Sequence, residues 1–270
     1  MTTPVALTIA GSDSGAGAGI QADLKTFAAL GVYGASVITA LTAQNTTRVF
    51  AMHAVPAQFV TAQLDALFSD LDLGAVKIGM VSSRAVVEAI SAALDRWGDS
   101  HGASNVVLDP VMAASSGASL LPPDALDALK RLLIPRARIV TPNLAEAAAL
   151  LDATVACDEA AMREQGERLL AFGAGAVLMK GGHGGGVESV DLLIERTATN
   201  RLVAQRIATR NTHGTGCTLA SAVAAGLAKR QTLPEAVRNA KTYVTAALAA
   251  ADRISIGAGP GPLNHFHAWW

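Results

Sequence analysis

The residues richest in possible chemistry run "NTHGTGCT", positions 211 to 218, directly before the small-residue stretch "LASAVAAGLA". Gly214 and Gly216 permit a turn whose successive N–H groups point into one concavity, and a helix starting there adds its positive end. Such a turn receives an anion; the plainer reading is an ordinary helix start capped near Thr215 or Thr218. Cys217 stands in the first turn, where the helix N-terminus is expected to lower a thiol pKa. A thiolate there would take a proton from an attacking hydroxyl while the turn steadies phosphoryl charge. The alternative is a small buried hydrophobe, the common fate of a free cysteine. Cys157, in "TVACDEAAM", has no comparable setting and reads as structural.

Three further segments carry charge at the ends of apolar runs: "DPVM" with Asp109, "TPNLAE" with Asn143 and Glu146, and "AVLMKGG" with Lys180. The two carboxylates suit Mg²⁺, which takes oxygen ligands and retains water. Lys180 suits a transferred phosphate. Singly, each is equally a helix cap or a loop charge; together they suggest phosphoryl transfer. "GSDSGAGAGI" places Gly15, Gly17 and Gly19 between a strand and a helix, but as G-x-G-x-G without the acidic ribose partner of a dinucleotide site. These glycines are expected to let the backbone approach a ligand, with Asp23 projecting from the helix they open. The chain contains no G-x-x-x-x-G-K-[ST]. The six histidines form no zinc ligand set. The closing "NHFHAWW" is expected to pack its two tryptophans on the body or on another subunit.

Positioning these groups requires strands that end beside one another. Apolar runs at 5–11, 35–44, "AVKIGM", "NVVLDPVM", "RIVTPN" and "GAVLMKGG" predict strands. Helical spacing predicts helices at 18–31, 56–71, "RAVVEAISAALDRWG", "PDALDALKRLLI", 143–151, 158–172, 216–229 and 234–251. "SVDLLIERTATNRLVAQRI" predicts a hairpin. This alternation implies a mostly parallel sheet covered on both faces, with ligands at the strand carboxyl ends. No linker or repeat interrupts it, so one domain over 1–270 is expected.

Hydrophobic residues make up 51% of the chain and aromatics 4%, so the core must be built from Ala, Val, Leu and Ile. A net charge of −1 with no basic run argues against nucleic acid or an anionic membrane as partner. No apolar run approaches the roughly 20 residues of a membrane span. Two distant cysteines and no signal peptide lead us to expect a cytoplasmic protein.

The segments "AGSDSGAGAGIQADLKTF", "GVYGASVITALTAQNT", "KIGM", "VVLDPVM", "TPNLAEAAALL", "VLMKGGH", "NTHGTGCTLASA" and "HFHAWW" closely resemble the bacterial hydroxymethylpyrimidine/phosphomethylpyrimidine kinases of thiamine biosynthesis, in the ribokinase-like superfamily. The resemblance runs in order from about residue 5 to the C-terminus. It implies a three-layer α/β/α fold with a mostly parallel central sheet and no separate lid domain. It also implies two reactions with ATP and Mg²⁺. The hydroxymethyl group of 4-amino-5-hydroxymethyl-2-methylpyrimidine is phosphorylated, and the monophosphate then becomes the diphosphate. Carried over by position, Cys217 is the catalytic base, where most of the superfamily has aspartate, and Gly214 and Gly216 frame the anion hole. Lys180 contacts phosphate, Asn143 and Thr215 bind the nucleotide, and Asp109 and Glu146 serve the metal. Gly11, Asp23, Gln44, Met80 and His213 bind the pyrimidine. An amide such as Gln44 offers both a donor and an acceptor to an aminopyrimidine edge. At Ala16 the family pattern usually has glycine, so an added methyl is expected to stiffen that loop. A homodimer is also implied.

Two other readings remain at this stage. A pyridoxal or pyridoxine kinase, or an enzyme accepting both rings, would act on a similar flat hydroxymethyl heterocycle. A non-catalytic pyrimidine or nucleotide sensor would use the same pocket, although it has no need of a base.

Overall fold

A computed structural model describes residues 3–97, 104–113, 121–182 and 186–270. Nine strands form one sheet in the order β3-β2-β1-β4-β5-β6-β7-β8-β9. They are β1 (Val5–Asp13), β2 (Tyr33–Gln44), β3 (Val49–Ala54), β4 (Ala75–Ile78), β5 (Val106–Leu108), β6 (Ile139–Val140), β7 (Ala176–Lys180), β8 (Glu188–Glu195) and β9 (Thr199–Gln205). The six strands from β2 to β7 in that order pair in parallel. Antiparallel β3 closes one edge and the β8–β9 hairpin the other. The helices are α1 (Gly19–Ala29), α2 (Ala57–Phe68), α3 (Arg84–Trp97), α4 (Pro123–Ala128), α5 (Leu144–Leu151), α6 (Glu159–Leu170), α7 (Thr215–Ala228) and α8 (Leu233–Ala249).

Alternation along the strands builds two cores. Leu7, Ile9, Val76, Ile78, Val106, Leu108, Val177 and Met179 face a layer made by α2 to α6. The intervening Ala6, Ala75, Val107, Ile139, Ala176 and Leu178 face α1, α7 and α8. Successive strand side chains point to opposite faces, so a parallel strand buried on both sides reads as a continuous apolar run. This is the three-layer arrangement expected from the sequence. From Thr218 to Ala228 every residue of α7 is buried; its small side chains let it lie close against both sheet and neighbouring helices.

Two features differ from the sequence-based expectation. β3 was not anticipated, because five of its six residues are exposed and no core-facing pattern marks it. The "PDALDALKRLLI" helix is present throughout but changes type: after α4 it becomes a π-helical turn over Leu129–Leu133 and then a 3-10 turn over Ile134–Arg136. Pro135 has no N–H with which to continue an α-helix. Trp269 and Trp270 are exposed, with Trp270 stacked on Phe266; of the two expected settings, packing on another subunit is the one this exposure leaves. The far parts of the "DPVMAASSG" and "KGGHGGG" loops, residues 114–120 and 183–185, lie outside the described residues. No helix among those described is long and apolar enough to cross a membrane.

Candidate active site

A cavity of about 750 Å³ runs along the strand carboxyl ends. Strand order sets its layout: Gln44 closes β2, Asp13 closes β1, Lys77 lies in β4, Lys180 closes β7 and Asp191 lies in β8. Six interstrand steps of about 4.8 Å span roughly 30 Å from β2 to β8, room for two ligands end to end.

Twelve of the residues singled out in the sequence line this cavity: Gly11, Gln44, Met80, Asp109, Asn143, Glu146, Lys180, His213, Gly214, Thr215, Gly216 and Cys217. Asp23 does not. Its side chain is fully buried between α1 and the sheet, where Lys77 Nζ donates to both oxygens at 2.8 and 3.0 Å. Thr8 and Ser221 hydroxyls complete its shell, each at 2.6 Å. With every direction filled by the protein, Asp23 cannot read a pyrimidine, and the expectation is corrected.

The acid that faces the cavity at this end is Asp13. Its carboxylate accepts the N–H groups of Gly15 (2.8 Å), Gly17 (3.0 Å) and Ala18 (2.9 Å), and lies 2.9 Å from His213 Nε2. Burial pushes the Asp13 pKa up, but the His213 bond and the backbone donors outweigh it and hold the group below its ordinary value. The amides expected to approach a ligand are therefore spent on the chain's own carboxylate. Ala16, within this loop, has φ +61°, a left-handed conformation costly for an L residue. Lys25 Nζ donates to its carbonyl at 2.8 Å. Ala16→Gly is expected to raise stability by roughly 0.5 to 1 kcal/mol, after allowing for glycine's unfolded-state entropy. A urea midpoint that stays put or falls would contradict the strain.

Beside this loop, Gly214 is the N-cap of α7 at φ +83°, with no side-chain cap and no acid in the first turn. A Cβ there would strike the carbonyl of Gly17. The first N–H groups of α7 have no intrahelical acceptor, so the turn keeps donors for an anion. A Cβ on Gly216 would lie 3.2 Å from Lys180 Nζ and 3.7 Å from Asp109 Oδ2, which places the turn against the charged cluster. Lys180 Nζ is 2.8 Å from Asp109 Oδ1 and 3.8 Å from Glu146 Oε2. Burial alone would lower the Lys180 pKa, but the two carboxylates raise it above the ordinary lysine value. Glu146 is pushed up to about 6, by burial first, with Lys180 opposing and Asp109 adding. Asn143 and Glu146 also form a capping box on α5, so both the structural and the site readings apply to them.

Cys217 is half-buried and lines the cavity. Its thiol is pushed up to about 11, chiefly by burial, against the charge of Lys77 and a hydrogen bond from the Gly19 backbone. The direction is opposite to the lowering expected from the helix terminus, because the loss of solvation outweighs the favourable Lys77 charge and Gly19 hydrogen bond. Cys157 is exposed.

Among the described residues no three His, Cys, Asp or Glu side chains are arranged to hold an ion. Asp109 and Glu146, with Lys180 between them, fit a Mg²⁺ that takes most of its ligands from phosphate and water rather than from a protein cage. Among the charged lining residues, the sequence reading does not single out Asp13, Lys77, Asp191, Arg206 or Lys241. Asp13 lay within a quoted glycine loop, and Lys77 was marked by being a charge in an apolar strand. Lys241, 2.7 Å from Asp191 at the far end of the cavity, stands in an ordinary amphipathic helix and carried no signal.

The model of the family described as phosphomethylpyrimidine kinase matches residues 13–264. The chain is 59% identical to the hydroxymethylpyrimidine/phosphomethylpyrimidine kinase of Rhizobium meliloti, over 99% of each chain. Among solved structures, phosphomethylpyrimidine kinase from Clostridium difficile is 43% identical with a TM-score of 0.79, covering 90% of this chain and 99% of that one. Pyridoxal kinase from Staphylococcus aureus, in complex with AMP-PCP and pyridoxal, is 30% identical with a TM-score of 0.90, covering 100% of this chain and 96% of that one. Family match, near-full-length coverage by the relatives and shared fold agree with the cavity just described: the chain is a kinase that belongs to the phosphomethylpyrimidine kinase family of thiamine biosynthesis.

Proposed function

We propose that the chain transfers the γ-phosphoryl group of ATP to the hydroxymethyl oxygen of 4-amino-5-hydroxymethyl-2-methylpyrimidine, and then a second to the resulting monophosphate. The observation that carries this reading is the convergence of an uncapped α7 start, Cys217 and the Lys180–Asp109 pair in one cavity. In the first step the substrate oxygen bonds to phosphorus as the bridging oxygen of ADP leaves, and the hydroxyl proton passes to the thiolate form of Cys217, giving the thiol. The N–H groups of Gly216 and Cys217, with Lys180, take up charge on the transferred group. Asp109 and Glu146 would hold Mg²⁺ largely through water, supplying charge neutralisation between phosphates. The S. aureus relative is described in complex with AMP-PCP, which supports ATP as the phosphoryl donor, and ATP is assigned to the Asn143, Thr215 and β8–β9 end of the cavity.

The pyrimidine is assigned to the β1–β2 end, between Gly11, Met80, Gln44 and His213. Gln44 Nε2 lies 3.4 Å from His213 Nε2, so both groups face one small volume. Gln44→Ala is expected to raise the pyrimidine KM about tenfold, the loss of one or two hydrogen bonds, with little effect on the ATP KM. Equal rises in both would remove Gln44 from ring recognition.

A homodimer is part of this proposal. Tyr33, Leu41, Phe50, Met52 and Phe59, on β2, β3 and α2, are exposed large hydrophobes at the β3 edge of the sheet, the kind of surface that marks an interface. A cytoplasmic setting fits both free cysteines. The deciding experiment incubates purified protein with Mg·ATP and the hydroxymethylpyrimidine, with pyridoxal in parallel, and identifies products by mass. Mono- and then diphosphorylated pyrimidine is expected. Pyridoxal phosphate alone would move the substrate to the other ring, and no product in either tube would favour a sensor.

A further inference from the structure

The C-terminal segment makes contacts that the proposed chemistry has not used. After α8 and a 3-10 turn over Ala251–Arg253, the chain returns to the site as an extended strap. Residues 261–265 are all buried, although Asn264 and His265 are polar. The Gly259 N–H donates to Thr46 Oγ1 at 3.1 Å, just beyond β2. The Gly261 N–H donates to Asn211 Oδ1 at 3.0 Å, and its carbonyl accepts the His213 N–H at 3.1 Å. From α8, the Tyr243 hydroxyl donates to the His265 carbonyl at 2.8 Å. The strap thus joins the β2 end, the glycine turn and α8.

His265 carries this contact into the site. Its Nε2 lies 3.0 Å from Thr218 Oγ1, and that hydroxyl lies 2.9 Å from the Gly214 carbonyl. Burial first, and then the charge of Lys25, push the imidazole down to about 4, against a hydrogen bond to the Leu263 backbone. The ring is therefore a neutral hydrogen-bonding group near pH 7. Burying such a ring costs free energy unless it is partnered, and its side-chain partner stands in the first turn of α7. Gly214, the residue at the end of this chain of contacts, holds a left-handed conformation that opens the anion-receiving turn.

We infer that His265 is a positioning residue for phosphoryl transfer: through Thr218 it fixes the Gly214 peptide, and so the direction of the Gly216 and Cys217 N–H groups. This rests on the phosphoryl-transfer reading above. Donors aimed at developing charge act through placement, and a shift of about 1 Å in a reacting group can cost about 10² in rate.

The test uses the full chain. His265→Phe keeps an aromatic ring and removes both nitrogens; kcat is expected to fall about 10- to 100-fold, with pyrimidine KM and nucleotide affinity unchanged. His265→Gln, whose amide reaches close to the Nε2 position, should restore most of kcat. Thr218→Val, nearly isosteric, should reproduce the defect while leaving the strap's other hydrogen bonds through Tyr243, Thr46 and Asn211 in place, and Thr218→Ser should not. The double variant His265→Phe/Thr218→Val should be no slower than either single, since both break one chain of contacts. If His265→Phe fails to fold, the Thr218 pair carries the test. An unchanged kcat in Thr218→Val, or additive losses in the double variant, would overturn the inference. Wild-type protein that phosphorylates neither ring would instead overturn the phosphoryl-transfer reading, and the inference with it.

Discussion

Cys217→Ala is expected to slow the first phosphorylation about 10²- to 10⁴-fold, the usual worth of a general base, while ligand binding is largely kept. The second phosphorylation should suffer less. Its acceptor is a phosphate monoester whose second pKa is near 6, so near pH 7 it is mostly an oxyanion already. No proton then needs removing, and the task left is to bring two anions together, which falls to the α7 turn and Lys180. The thiol, pushed up to about 11 by burial, adds a pH signature. At pH 7 only about one thiol in 10⁴ is ionised at that pKa, and the thiolate grows about tenfold per pH unit below it. First-step kcat should therefore rise steeply between about pH 7.5 and 9.5, above the ionisation of the phosphates. Cys217→Asp, ionised throughout that window, should flatten the slope. Single-turnover rates for each step, measured against pH, check all three points. Equal losses in both steps would mean that Cys217 acts by packing or by shaping the turn rather than as a base.

Asp23→Ala is expected to destabilise the fold by about 3 to 5 kcal/mol, because it strands a buried lysine without its counter-ion. Lys77 and Asp23 are both fully excluded from solvent, and the pair also holds Thr8 of β1 and Ser221 of α7. The Lys77 pKa shows the same dependence: burial lowers it, and Asp23 is the first of the charges that raise it above its ordinary value. A domain's whole stability is about 5 to 15 kcal/mol, so the variant should melt far earlier. Adding Lys77→Met should recover much of the loss, since an apolar pair of similar volume commonly replaces a buried ion pair without penalty. Denaturant unfolding of the two variants decides it. A loss below about 1 kcal/mol for Asp23→Ala would place the pair in the class of solvated surface bridges.

Legible along the chain are the alternation of strands and helices, the family, and the main cavity motifs from Asp109, Asn143, Glu146 and Lys180 to the glycine turn with Cys217. Each of those is written in local pattern: apolar runs ended by glycine or a single charge, and motifs such as "GTGC" whose residue types have few other uses side by side. The sequence also carried the one loop departure of note, since Ala16 stands where the backbone turns left-handed. Which charges meet depends instead on how distant elements pack. Asp13 and Asp23 lie ten residues apart on either side of one glycine loop, yet Asp13 caps that loop and faces the cavity while Asp23 is sealed against β4 and α7. The direction of the Cys217 pKa was likewise unreadable, because the helix terminus is a local feature but desolvation depends on every element packed around the sulfur. β3 and the His265 strap were missed for the same reason. An exposed edge strand has no core pattern to betray it, and a polar residue buried by distant partners looks, along the chain, like any polar residue of a tail.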